Sequence, residues 1–148
     1  YEDVGKIIKQ ARELGITVPV LGADAWDSPT LVELGGPQAL NNTYFTNFYS
    51  TEDKNPTSNA FVVAYKKEYG KTPDSMAAMG YDAAKLLVDA IKRANSTDAN
   101  KIKDALASTQ NFVSVSGDMK LNETHDAVRG VVIIELKDGK QVYKETVK

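Results

Sequence analysis

The hydrophobic positions change period several times along the chain. Val4, Ile7, Ile8, Ala11 and Leu14 recur at helical spacing and Gly15 stands where such helices end, which predicts a helix over 3–14. Gly5 inside it reads as a site of close helix–sheet packing. Val18, Val20 and Leu21 form an apolar run closed by Gly22, the pattern of a short buried strand over 18–21. Ser28 followed by Pro29 is an N-cap with proline at the first helical position, so a helix follows over 29–35 until Gly35-Gly36-Pro37 breaks it. Residues 42–48 are aromatic and β-branched and read as a strand; residues 49–55 are a polar linker. Asn55-Pro56 restarts a helix over 56–69, with Ala60, Phe61, Ala64, Tyr65 and Tyr69 on one side. Asp74 caps the longest helix, 75–94, whose broad apolar face holds Met76, Met79, Ala83, Leu86, Leu87, Ala90 and Ile91. A third helix over 98–107 turns Ile102, Ala105 and Leu106 inward. In the tail, 119–121 reads as a short strand, 122–126 as a turn and 131–136 as a strong buried strand. Asp138-Gly139 then joins this strand to the alternating run 141–147, predicting an antiparallel hairpin.

A helix followed by a strand is half of a layered α/β unit, and no strand precedes the first helix. The chain is therefore expected to be a fragment of a longer α/β protein. Three successive helices between the α/β parts suggest a second layer or lobe. With 148 residues and a net charge of −2, the chain can build a real core and has no electrostatic case for binding nucleic acid or an anionic membrane surface. It has no cysteine, which excludes disulfides, thiolate metal sites and cysteine nucleophiles.

Candidate chemistry is sparse. The single histidine, His125, falls in a polar turn, and there is no Gly-x-Ser-x-Gly elbow, no phosphate-binding glycine loop and no calcium-loop repeat. No cofactor is implied. Tyr81-Asp82 reads as a tyrosine at the edge of the core beside a solvated aspartate, and Met76 and Met79 read as core filler. The loop after the first strand, Ala23-Asp24-Ala25-Trp26-Asp27-Ser28, holds two carboxylates three residues apart and the only tryptophan. Loops at the carboxyl ends of parallel strands are where α/β proteins bind ligands, so an Asp beside a Trp there can hold a small cation against an apolar wall. In the competing reading, Asp27 or Ser28 caps the next helix and Trp26 packs on its first turn.

The stretch from Val18 to Pro29, with Tyr1-Glu2-Asp3-Val4-Gly5 before it and Tyr81-Asp82-Ala83-Ala84 after it, resembles the solute-binding proteins of branched-chain amino acid ABC transporters. These are the leucine/isoleucine/valine-binding, type I periplasmic binding proteins. The resemblance runs from Tyr1 to about Lys148 and covers only the later part of such a protein. It implies an α/β class, a partial type I fold with a parallel sheet, flanking helices and a C-terminal β-hairpin. Two lobes would close on an amino acid: residues 1–48 and 130–148 in the second lobe, and 49–129 as a helical portion of the first. Asp24 would receive the ligand's α-ammonium, Trp26 would wall the side-chain pocket, Tyr1 would stand at a cleft-facing strand end, and Met76 would reach the cleft from the first lobe. The implied protein is no enzyme. It is periplasmic or extracellular, with a cell-surface lipoprotein as one form, and its partner is a membrane permease. With the first lobe's strands absent, Phe61, Tyr65, Met76, Met79, Leu86 and Leu87 would form an open face, to be covered by folding back on the α/β part or, the favoured outcome, by pairing in a homo-oligomer. The alternatives are a ligand-sensing receptor or regulator domain of the same fold, and a small α/β enzyme.

Overall fold

In chain order the computed structural model contains α1 (Glu2–Glu13), β1 (Val20–Gly22), α2 (Pro29–Gly35), β2 (Thr43–Asn47), α3 (Pro56–Tyr69), α4 (Ser75–Ala94), α5 (Ala99–Ala107), β3 (Phe112–Ser114), β4 (Gly117–Leu121), β5 (Ala127–Val128), β6 (Val131–Lys137) and β7 (Lys140–Val147). A single 3-10 turn, Asp24–Trp26, lies between β1 and α2. Every residue is described except Lys54 and Lys148, so the predicted linker is described apart from Lys54. The chain divides into two compact units, Tyr1–Glu52 with Val131–Val147, and Asp53–Gly130.

The first unit is built on a four-stranded sheet in the order β1-β2-β6-β7. β1 and β2 are parallel, β6 runs antiparallel to β2 with Ile134 opposite Phe45, and β7 returns beside β6 through the predicted Asp138-Gly139 turn. Alternation along β2 sends Thr43, Phe45 and Asn47 inward. Phe45 joins Ile8, Leu31, Leu40, Val132, Ile134 and Leu136 in one core, where each large apolar side chain is worth about 1.5–3 kcal/mol. Arg12 ties the end of α1 to the sheet. Its guanidinium donates to the carbonyls of Ile16 (2.7 Å), Val18 (2.9 Å), Ala39 (3.2 Å) and Asn41 (3.2 Å), satisfying the loops that lead into β1 and β2.

Two expectations for this unit need correction. Gly5 serves helix–helix rather than helix–sheet packing: a Cβ there would stand 3.1 Å from the Gly35 nitrogen and 3.2 Å from the Leu31 carbonyl, so the glycine sets how closely α1 meets α2. The strand expected to be buried over 18–21 starts at Val20, and Val18 and Leu21 are 62% and 76% exposed. β1 is an edge strand whose inner face carries only Val20, while Leu21 points to the face that no helix of this unit covers among the described residues. On another part of the sheet, Lys144 donates to Glu135 at 2.9 Å and the Tyr44 hydroxyl reaches the same carboxylate at 3.4 Å. The hydrogen bond from Lys144 holds the Glu135 carboxyl below the usual glutamate value, against an opposing effect of burial and with help from the charge of Lys144 and the Tyr44 hydroxyl. The same hydrogen bond raises Lys144.

The second unit contains α3, α4, α5 and a three-stranded antiparallel sheet in the order β3-β4-β5. The helices start where the sequence predicts them, with Asn55, Asp74 and Asp98 each accepting a backbone N–H from the first turn. The buried row of α4 differs from the predicted apolar face: it is Ser75, Ala78, Asp82 and Ala90, while Met76, Ala83 and Leu87 are exposed. The face expected to stand open is thus partly closed within the unit, because Phe61 is buried and stacks at 4.9 Å on Tyr81 and 5.6 Å on Tyr65. Asp82 is 3% exposed rather than solvated. Its carboxylate accepts from the backbone N–H of Val115 at 2.8 Å and, at 3.4 Å and 3.3 Å, from the Ser116 N–H and hydroxyl; Arg129 donates to that hydroxyl at 3.0 Å. A carboxylate is taken inside because the tight β3–β4 turn presents donors that the sheet ladder leaves unpaired. His125 is an exposed turn residue at φ +65°. No helix among the described residues is long and apolar enough to cross a membrane.

Asp82→Ala is expected to destabilise the second unit by about 2–4 kcal/mol, since it strands buried donors, and to speed hydrogen exchange at Val115 and Ser116. Equilibrium denaturation with amide exchange checks both. The depressed Glu135 carboxyl adds stability above the ordinary glutamate range, and that stability is lost as pH falls through its folded value, which lies below that range. Glu135→Gln should flatten this acid limb in a thermal-melting series.

Candidate functional site

β1 leaves the sheet at Gly22, and the chain makes one 3-10 turn before Ser28 caps α2 by accepting the Thr30 N–H at 3.2 Å. Backbone bonds within the turn are few: Trp26 N–H to Ala23 C=O at 3.3 Å, Asp27 N–H to Asp24 C=O at 3.2 Å and Ser28 N–H to Trp26 C=O at 2.8 Å. The turn therefore depends on its side chains. The Trp26 ring lies across Gly22 and meets Phe45 at 6.4 Å, so the indole covers the end of β1 and touches the core. A Cβ on residue 22 would overlap that ring, so only glycine lets Trp26 settle there.

The two carboxylates of the turn have different surroundings. Asp27 accepts from the Asn47 amide at 3.1 Å and from the Gln141 amide at 2.7 Å. Asp24 is half-buried, and among the described residues its carboxylate has neither a hydrogen bond nor an ion pair. An anionic group on the same turn as an aromatic side chain and still open to a partner suits a cation of the size of an ammonium. A carboxylate pair for acid–base chemistry is not what the turn presents, because Asp27 is occupied. Of the two predicted capping candidates, Ser28 makes the helix cap, and Asp27 bonds to the strands instead.

Of the four predicted site residues, the structure places Asp24 and Trp26 in one turn. Tyr1 is the N-cap residue of α1 in the same unit, 49% exposed, and among the described residues shares no hydrogen bond or ring contact with either. Met76 is exposed on the first turn of α4 and belongs to the second unit. Hollows occur in the second unit, including an open trough of about 770 Å³ beside Lys120, Asn122, Glu123 and His125, which none of the four predicted site residues lines.

The sequence model of the periplasmic binding protein family matches residues 2–141. The chain belongs to that family. Among curated relatives, Leu/Ile/Val-binding protein homolog 1 of Brucella suis biovar 1 is 27% identical over 126 residues, covering 85% of this chain and 33% of the relative. Among solved structures, a leucine-binding protein from Thermotoga maritima is 38% identical, with a TM-score of 0.89 over 98% of this chain and 41% of its own. A branched-chain amino acid transporter substrate-binding protein from Streptococcus pneumoniae, in complex with isoleucine, is 31% identical, with a TM-score of 0.88 over 99% of this chain and 42% of its own. The chain thus spans about a third of the length of the Leu/Ile/Val-binding protein homologs 1 and 2 it matches. Its α/β class and helix-flanked sheet with a terminal hairpin are those of this fold.

The residues that seat the turn, Gly22, Asn47 and Gln141, were not among the predicted site residues. One sequence signal for Asn47 exists: it is the single amide on the inward alternation Thr43, Phe45, Asn47, and a polar side chain there needs a partner. Gln141 carries no such signal. Gly22→Ala should expel the Trp26 ring from its seat, with a red shift of emission from the only tryptophan and a loss of about 1–3 kcal/mol, the scale of overpacking. Fluorescence and thermal melting together test this.

Proposed function

We propose that this chain is the portion of a branched-chain amino acid-binding protein that receives the ligand's α-ammonium, in a protein that delivers its cargo to an ABC transporter. Asp24 is the ammonium acceptor and Trp26 walls the side-chain pocket, with Tyr1 and Met76 as further cleft residues. Residues 1–48 with 130–148 form part of one lobe and 49–129 part of the other, and the amino acid sits between the lobes as they close. The groups that hold the ligand carboxylate lie outside this chain. The protein is not an enzyme; it works in the periplasm or at the cell exterior, and a membrane permease is its partner.

The observation that carries this reading is the half-buried Asp24 carboxylate, unpartnered among the described residues and set beside Trp26 at the carboxyl end of a strand. Further support is that a relative of 31% identity is solved with isoleucine bound. Physically, a carboxylate in a closing cleft demands a cation: once water leaves, the unpaired charge is costly and the ion pair offsets that cost. This selects α-amino acids over carboxylates that lack an ammonium.

In the chain joined to the remaining portion that its relatives carry, Asp24→Ala should weaken leucine or isoleucine binding by about 2–5 kcal/mol in calorimetric titration. Unchanged affinity would remove Asp24 from the site. The 148-residue chain alone should bind these amino acids no tighter than roughly millimolar, because the ligand carboxylate is left without a partner. Micromolar binding by it would place the whole site within this chain.

A further inference from the structure

We infer that Asp27 is a positioning residue: it binds no ligand, and it clamps the turn that presents Asp24 and Trp26 onto two strands of the sheet. Three observations converge. The turn is one 3-10 turn with sparse backbone bonding, so backbone alone leaves it several ways to sit. Both oxygens of Asp27 are taken by amide donors, Asn47 Nδ2 on one and Gln141 Nε2 on the other. The donors come from β2 and β7, two strands separated by β6, so the carboxylate is fixed from two points of a rigid frame.

Asn47 is itself locked. It is 1% exposed, and its Oδ1 accepts the Phe48 N–H at 2.8 Å, which turns its amide nitrogen toward Asp27. Gln141 stands opposite Leu136, a core residue, just past the hairpin turn. The hairpin is positioned in turn by the Asn41 side chain, which accepts the Asp138 N–H at 2.7 Å. The C-terminal hairpin thus has a task beyond closing the sheet: it supplies one of the two donors that set the angle of the turn. Its consequence for ligand affinity rests on the reading of Asp24 and Trp26 as the ligand-facing pair, since a preorganised acceptor avoids the ordering cost of binding.

The test uses the 148-residue chain and its single tryptophan, without ligand, so it stands apart from the functional reading. Asp27→Ala and Gln141→Ala should each raise acrylamide quenching of Trp26 by about twofold or more, with the unfolding midpoint of Gln141→Ala close to the parent's because residue 141 is exposed. Asp27→Asn combined with Gln141→Glu reverses the polarity of one bond and keeps the other. This pair should restore parental quenching, whereas Gln141→Glu alone, which sets two carboxylates against each other, should not. Parental quenching in both alanine variants would overturn the inference. So would quenching that rises only in step with global unfolding, or a reversed pair that behaves no better than Asp27→Ala. Failure of leucine to bind any form of the protein would count against Asp24 as acceptor and would leave these quenching results unaffected.

Discussion

The first unit depends on one long-range pairing, that of β2 with β6. Thr43 to Asn47 lie opposite Leu136 to Val132, although the whole second unit intervenes in sequence. Without β6, β2 has only the three-residue edge strand β1 as a neighbour, and Phe45 loses Val132, Ile134 and Leu136 from the core it shares. Closing so long an excursion costs little more than closing a short one, because loop entropy grows only with the logarithm of length. The buried apolar residues of β6 exceed that increment easily. The insertion is thus tolerated as long as the chain returns, and the hairpin of β6 and β7 is its return.

That return also bears on the chemistry. β2 carries Asn47 and β7 carries Gln141, the two donors to Asp27, and Phe45 of β2 supports the Trp26 ring. The turn after β1 is therefore seated by strands from both ends of the chain. Two carboxylates three residues apart end with opposite tasks: one is filled by amide donors and becomes structural, and the other is left with its charge unmet. Under the proposed function, closure would remove water from this carboxylate and leave it in need of a cation, which is how a binding protein would select an amino acid. The second unit shows the same economy with Asp82, whose carboxylate serves the donors of a tight turn.

Elements governed by local rules were legible in the sequence. The caps at Ser28, Asn55, Asp74 and Asp98, the proline starts of α2 and α3 and the Asp138-Gly139 hairpin act within a few residues, where each residue's own preference decides the backbone. Family membership was legible as well, since the stretches around Asp24 and Tyr81 carried it and the match extends over residues 2–141. Which side of an element faces inward was less so. The α4 helix has apolar residues on more than one side, and partners that meet it only in the fold, among them the β3–β4 turn with its unpaired donors, select the side bearing Asp82 over the side bearing Met76 and Leu87. Leu21 is apolar and exposed for a related reason: burial belongs to the layer that covers a strand, and sequence alternation says only that its two faces differ. The division of labour between Asp24 and Asp27 was beyond the sequence altogether. Their residue type and spacing are symmetric, and the partners that separate them arrive from residues 20 and 114 positions away. Local propensity thus determined where the elements start and stop, while tertiary structure alone decided which charges are satisfied, because hydrogen-bond partners distant in sequence meet only once the sheet has closed.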